Sequence, residues 1–234
     1  MISLPISKRE QIILAVTCVA VVAALLPLPS AAMSISAVPI EGWVVDAKGL
    51  PLNDVVVLAH WVLTGPVEGR TAGQLMIMEA TTDQDGHYNF PGWGPKYVVN
   101  PLVVMLSDDP ILHFFKPGYR VINAYNRTSV SEARADSKVR SSEWNGKRIV
   151  LEAMDRDSDA YVRQFEGETT TIAMMAERAN DCDWKLMRKM LTRMNEERLR
   201  LEGLGMHTAL PRPDHFANQA RCGSAAEWLK GAAP

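Results

Sequence analysis

Two rhythms of hydrophobic positions divide this chain. Over residues 39–154 apolar residues alternate or bunch in short runs, and beyond 170 they recur every three or four positions. The first rhythm opens with Ile40, Trp43, Val44 and Val45, which lead into 46-DAKGLPL-52, a predicted turn around Gly49 and Pro51. The run 54-DVVVLAHWVL-63 places Val55, Val57, Ala59 and Trp61 on one face and Val56, Leu58, His60 and Val62 on the other. Both faces are largely apolar, which predicts a central strand. After the Gly-rich stretch 64–74, further strands are expected at 75–82, within 83–93, and at 101–107, 112–116, 119–125 and 147–153. The polar stretch 126–145 reads as an exposed loop. Short strands punctuated by Gly and Pro predict a β-sandwich.

The second rhythm is helical. Residues 155–170 are polar and read as a linker, and residues 171–234 as a helical region interrupted near Asn180-Asp181. In 183–203 the residues Trp184, Met187, Leu191, Met194, Arg198 and Leu201 repeat at three and four, which marks one helix face packed inward. Asp183 is a candidate cap, Gly203 and Gly205 candidate stops, and Glu196 and Arg200 a supporting i, i+4 pair. A short helix is expected after Pro213. Ser224 and Glu227 have capping-box spacing ahead of a last short helix.

Residues 1–32 follow neither rhythm. Lys8 and Arg9 precede the almost wholly apolar run Gln11 to Leu28, and Pro27 and Pro29 precede the small residues Ser30-Ala31-Ala32. This fits a secretory signal peptide cut between Ala32 and Met33, or an uncleaved anchor helix at the short end of what a bilayer needs. Either reading sends the chain to the periplasm or cell envelope. Membrane contact is expected only if the segment is kept. Cys182 and Cys222 then remain as an even pair in an oxidising compartment, so a disulfide between them is predicted.

Composition adds limits. The chain has 234 residues, a net charge of −2 and 47% hydrophobic residues, enough for a sizeable core and with no basic excess for nucleic acid. Asn126-Arg127-Thr128 fits a glycosylation acceptor pattern, but one short enough to arise by chance.

Three ordered pieces carry a resemblance: 41-EGWVVDAKGLPLNDVVVLA-59, 81-TTDQDGHYNFPGW-93 and 115-FKPGY-119. Together they resemble the carboxypeptidase regulatory-like domain family over about residues 39–154. The resemblance implies a seven-stranded transthyretin-like sandwich over residues 37–154, with accessory, adhesive or scaffold roles. In the second piece Asp83 and Asp85 can accept backbone N–H groups, Gly86 can take positive φ, and Tyr88 and Phe90 share one face.

Parts of the same pieces are also similar to intradiol dioxygenases, whose non-haem iron needs two tyrosines and a His-x-His pair. Here His113 is followed by Phe114 and Phe115, so the second histidine is missing. The chain also lacks His-x-x-Glu, Gly-x-Ser-x-Gly and GxxxxGK[ST] motifs. Asp108-Asp109 before Pro110 reads as turn chemistry. Asp155, Asp157 and Asp159 alternate like a calcium loop but lack its Gly and terminal Glu. The expectation is therefore an exported, noncatalytic binding, scaffold or accessory module without a cofactor, taking an envelope protein or a polysaccharide as partner. The alternative is an enzyme on the same sandwich, such as a divergent intradiol-dioxygenase-like protein. His87, Trp93, Tyr97 and His113 are the candidate ligand contacts, placed near predicted loops or strand ends.

Overall fold

A computed structural model describes residues 33–65, 71–100, 102–103, 105, 109–126, 139–178 and 182–231. The expected signal or anchor segment, Asp108 and most of the loop expected at 126–145 lie outside the described residues. The described chain is a mainly β sandwich followed by a small helical region. Its strands are β1 (Met33–Ala37), β2 (Ile40–Asp46), β3 (Val56–Thr64), β4 (Thr71–Thr81), β5 (His87–Phe90), β6 (Trp93–Val98), β7 (Ile111–Phe115), β8 (Ile122–Ala124), β9 (Val139–Arg140) and β10 (Lys147–Leu151). They form a four-stranded sheet of order β4-β3-β7-β8 and two three-stranded sheets, β6-β1-β9 and β10-β2-β5.

The expectation of seven strands is corrected to ten among the described residues. The sequence pattern missed β1, β6 and β9. β1 follows directly on the expected cleavage point, Gly94 and Pro95 interrupt β6, and β9 is two residues long. Conversely, 101–107 yields no strand among its described residues. Val103 and Met105 are buried there without a ladder, so alternate burial imitated strand periodicity.

β3 is central, as its two apolar faces predict, and each face feeds a different core. Val57, Ala59 and Trp61 join Ile35, Val44, Tyr88, Phe90 and Phe114 inside the sandwich. Val56 and Leu58 point the other way, with Ile77, Phe115 and Val121, into a layer of helices. That layer comprises α1 (Asp159–Arg178), a 3-10 turn (Asp183–Met187), α2 (Arg188–Gly203), a second 3-10 turn (Pro213–His215), α3 (Gln219–Cys222) and α4 (Ala225–Lys230).

Helix α1 corrects the expected linker, because residues 159–170 are helical. Its buried face is Tyr161, Phe165, Thr169, Ile172, Ala173 and Ala176, a stripe too narrow to stand out in a polar segment. Ser158 sits where a cap belongs, its Oγ accepting the Tyr161 N–H at 3.2 Å. Gln164 pairs with both backbone groups of Val121, which ties the helix to the sheet.

The face predicted for 183–203 is buried throughout, including Arg198. Asp183 starts the 3-10 turn rather than α2, whose own preceding residue makes no side-chain cap. Strand β4 supplies the cap instead: the Glu79 carboxylate accepts the N–H groups of Lys189 and Met190 at 3.0 and 2.7 Å. Burial raises the pKa of Glu79, and those two N–H groups oppose the rise. Glu196 bonds Arg193 rather than the expected Arg200, which instead joins Arg156 on Glu197. Burial of the Glu197 carboxyl would raise its pKa, but hydrogen bonds from Arg156, Arg200 and Tyr161 hold it below the usual range. Cys182 and Cys222 are bridged, closing a separation of 40 residues. Ser224 Oγ accepts the Glu227 N–H as the capping spacing predicts.

Candidate functional site

The predicted turn chemistry of 83-DQDGHYNF-90 is present. Asp83 Oδ1 accepts the N–H groups of Asp85 and His87 at 3.0 and 2.9 Å, and Gly86 has φ of 72°. A Cβ on Gly86 would stand 2.3 Å from the Val44 carbonyl oxygen, so the turn needs glycine for space as well as conformation. The turn sends Tyr88 and Phe90 inward and leaves His87 and Asn89 on the outside.

The four candidate contact residues do not converge. His113 lies in the middle of β7 and is fully buried, which removes it as a contact for an outside ligand. Trp93 turns inward, its ring edge-on to Trp61 at 5.2 Å, and packs half-buried against the sandwich core. Tyr97 is 66% exposed on β6, and His87 is half-buried on β5 of the other three-stranded sheet. Asn126 of the acceptor pattern is buried, and its Nδ2 donates to the carbonyls of Asp109 and Ser141.

His113 belongs instead to a polar row on the helix-covered face of the four-stranded sheet, in which the two histidines are buried and the other members half-buried. Each strand contributes one member, in the order Gln74, His60, His113 and Asn123, and Glu168 of α1 closes the row. The two imidazoles stack with centroids 4.8 Å apart. Asn123 donates through Nδ2 to the backbone and carboxylate oxygens of Glu168, which turns its Oδ1 toward His113 Nδ1. His113 therefore carries its proton on Nδ1. Burial, with His60 alongside, lowers the His113 pKa to about 3, so the ring is neutral.

No family model and no curated protein sequence matches the chain. Solved structures do. The 3-chlorocatechol 1,2-dioxygenase of Rhodococcus opacus 1CP is 16% identical with a TM-score of 0.30, over 55% of this chain and 64% of the enzyme. Hydroxyquinol 1,2-dioxygenase of Pseudomonas putida DLL-E4 is 16% identical with a TM-score of 0.28, over 53% of this chain and 59% of that one. The dioxygenase domain of a carbohydrate-binding fusion protein from Streptomyces sp. SirexAA-E is 16% identical with a TM-score of 0.28, over 54% of this chain and 84% of that domain. The chain thus spans less than two thirds of the first two enzymes. These neighbours are intradiol dioxygenases, not carboxypeptidase regulatory-like domains.

The described residues do not bring together the two tyrosines and the His-x-His pair that the sequence similarity to intradiol dioxygenases implies. His60 and His113 are the pair the fold brings together, and both are enclosed. The five tyrosines have other places: Tyr88 fills the sandwich core, Tyr119 packs against it, Tyr161 bonds the Gly118 N–H, and Tyr97 and Tyr125 are exposed. Among the described residues no three His, Cys, Asp or Glu side chains are arranged to hold a metal ion.

The outer face of β10-β2-β5, uncovered among the described residues, brings Trp43, His87 and Arg148 together with Glu41 and Asn89. Register sets Arg148 beside Trp43 and Trp43 beside His87 in one rank, with Glu41 beside Asn89 in the neighbouring rank. Trp43 is half-buried, its ring 5.3 Å from that of His87, and lies outside both hydrophobic cores. His87 Nε2 is 3.5 Å from a Glu41 carboxylate oxygen and its Nδ1 4.0 Å from Asp83. Trp43 and Arg148 were missed as contacts. The available signal was strand parity, since Trp43 shares a face with exposed Glu41 while Gly42 and Val44 point inward.

Proposed function

We propose that this chain is an exported cell-envelope recognition module, noncatalytic, which binds a polysaccharide on the outer face of β10-β2-β5. The observation that carries the reading is the rank Arg148–Trp43–His87 on an open sheet face. A flat aromatic ring outside the core offers an apolar platform for one face of a sugar ring. Glu41, Asn89, His87 and Arg148 surround it with donors and acceptors at strand spacing, suited to hydroxyl groups. The resemblance of residues 39–154 to carboxypeptidase regulatory-like domains supports an accessory role, and the apolar run 11–28 supports export. The test is cosedimentation of the full chain with insoluble cell-wall polysaccharide. Trp43→Ala is expected to weaken binding at least tenfold while the thermal midpoint stays within a few degrees. Equal binding by the variant and the parent removes this face as the site.

A second reading is a divergent intradiol-dioxygenase-like enzyme. The stacked pair His60 and His113 favours it, because two imidazoles on one sheet face are half of such an iron site. Metal analysis of the purified protein separates the readings. Stoichiometric iron, lost in His113→Ala together with ring opening of a catechol, establishes the second reading and overturns the first.

A further inference from the structure

The three most exposed large hydrophobic side chains among the described residues are Val99 at 72%, Tyr97 at 66% and Leu102 at 63%. All three stand at one end of the sandwich. Tyr97 pairs with Ser34 of β1 on the outward side, and Val99 lies one residue beyond the Met33–Val98 pair. Asn100 then forms a small turn, its Oδ1 accepting the Leu102 N–H at 3.0 Å and its carbonyl the Val103 N–H at 3.1 Å. Val103 and Met105 anchor the chain in the core beyond that turn, so Leu102 is held outward. Val139, 53% exposed and paired with Ser36 of β1, extends the apolar surface on the other side.

This is also the end where the N-terminal segment joins the fold. The apolar run closes at Leu28, and Pro29-Ser30-Ala31-Ala32 alone separate it from β1. Five residue steps at full extension reach about 17 Å. A bilayer holding the apolar run would therefore lie within that distance of Met33, beside Val99.

We infer that residues 11–28 are retained as a membrane anchor, and that this end of the sandwich rests on the lipid surface. Val99 and Leu102 enter the headgroup boundary, and Tyr97 sits at the interface. An apolar tip of this kind gains by leaving water, and tyrosine has an apolar ring and a polar end suited to the interfacial zone. The short tether makes the bilayer the occupant, because it is held against this face at all times. The proposal is independent of polysaccharide binding on β10-β2-β5.

The test uses the full chain carrying Cys18→Ser, reconstituted in phosphatidylcholine vesicles. Val99→Cys, Leu102→Cys and Val150→Cys are labelled one at a time with bimane, without reductant so that the Cys182–Cys222 bridge stays closed. Val150 is the control, 48% exposed on the outer face of β10-β2-β5. Lipids bearing a headgroup nitroxide are expected to quench the labels at 99 and 102 at least twofold more than at 150. Equal quenching at the three positions overturns the seating of the tip. A native protein that begins at Met33 and does not float with vesicles overturns the anchor and the seating together.

Discussion

Gly86 and His113 show how single positions carry this fold. The Gly86 turn needs positive φ, and a Cβ would meet the Val44 oxygen at 2.3 Å. Gly86→Ala is expected to cost about 1–3 kcal/mol from strain and overpacking, read as a lower urea midpoint. Gly42 answers a different demand, because a Cβ there would stand 2.7 Å from the Tyr88 hydroxyl oxygen. His113 makes stability depend on pH. Its folded pKa of about 3 lies below the ordinary 6.5, so between those values the unfolded chain holds the extra proton. The contribution is complete above about pH 6.5, falls as pH drops, and has gone by about pH 3. Urea midpoints at pH 7 and pH 4.5 are expected to differ less in His113→Asn than in the parent. An unchanged difference would place the acid sensitivity elsewhere.

At the scale of elements, the helices are held to the sheet by partners from distant sequence. Glu79 of β4 caps α2, Gln164 of α1 bonds both backbone groups of Val121 just before β8, and Glu197 is gripped by Arg156 and Arg200. The Cys182–Cys222 bridge ties the 3-10 turn before α2 to the end of α3. Nearby, Trp228 of α4 lies 4.7 Å from the Arg188 guanidinium and edge-on to Trp184. Closing 40 residues restricts the unfolded chain by roughly 4 kcal/mol in the loop-entropy picture. Cys182→Ala/Cys222→Ala is expected to lose about that much stability and still fold at low temperature. A double variant as stable as the parent would show the bridge to be idle. Amide exchange should locate the loss first in residues 213–231, which rely on few partners outside the helical layer.

For the whole molecule, the decisive feature is that one sheet serves two cores. Val56, Leu58, Ile77, Phe115 and Val121 pack under Tyr161, Phe165, Ile172, Trp184 and Met190. The sandwich and helical layer are therefore expected to unfold together in one cooperative transition. Residues 33–154 expressed alone would bare that sheet face and are expected to aggregate or to bind a hydrophobic dye strongly. A monomeric fragment with a sharp unfolding transition would show that the sandwich stands without its helices.

Local patterns determined much of this. Alternation placed β2, β3, β4, β5, β7 and β10 to within a few residues, and Asp83 with Gly86 specified the turn between β4 and β5, because strand faces and turn dihedrals depend on adjacent residues. The even cysteine pair foretold the bridge, and the face Trp184 to Leu201 foretold the packed helix. Other features exist only through contacts between distant residues. The N–H groups that Glu79 caps lie 110 and 111 positions away. His60 and His113 meet because β3 pairs with β7, and Arg148, Trp43 and His87 form a rank because β2 lies between β10 and β5. Strand parity tells which face a residue takes, but only pairing and register decide which residues stand together there. That is why His113 proved to be a buried member of a polar row, while His87 kept an open face.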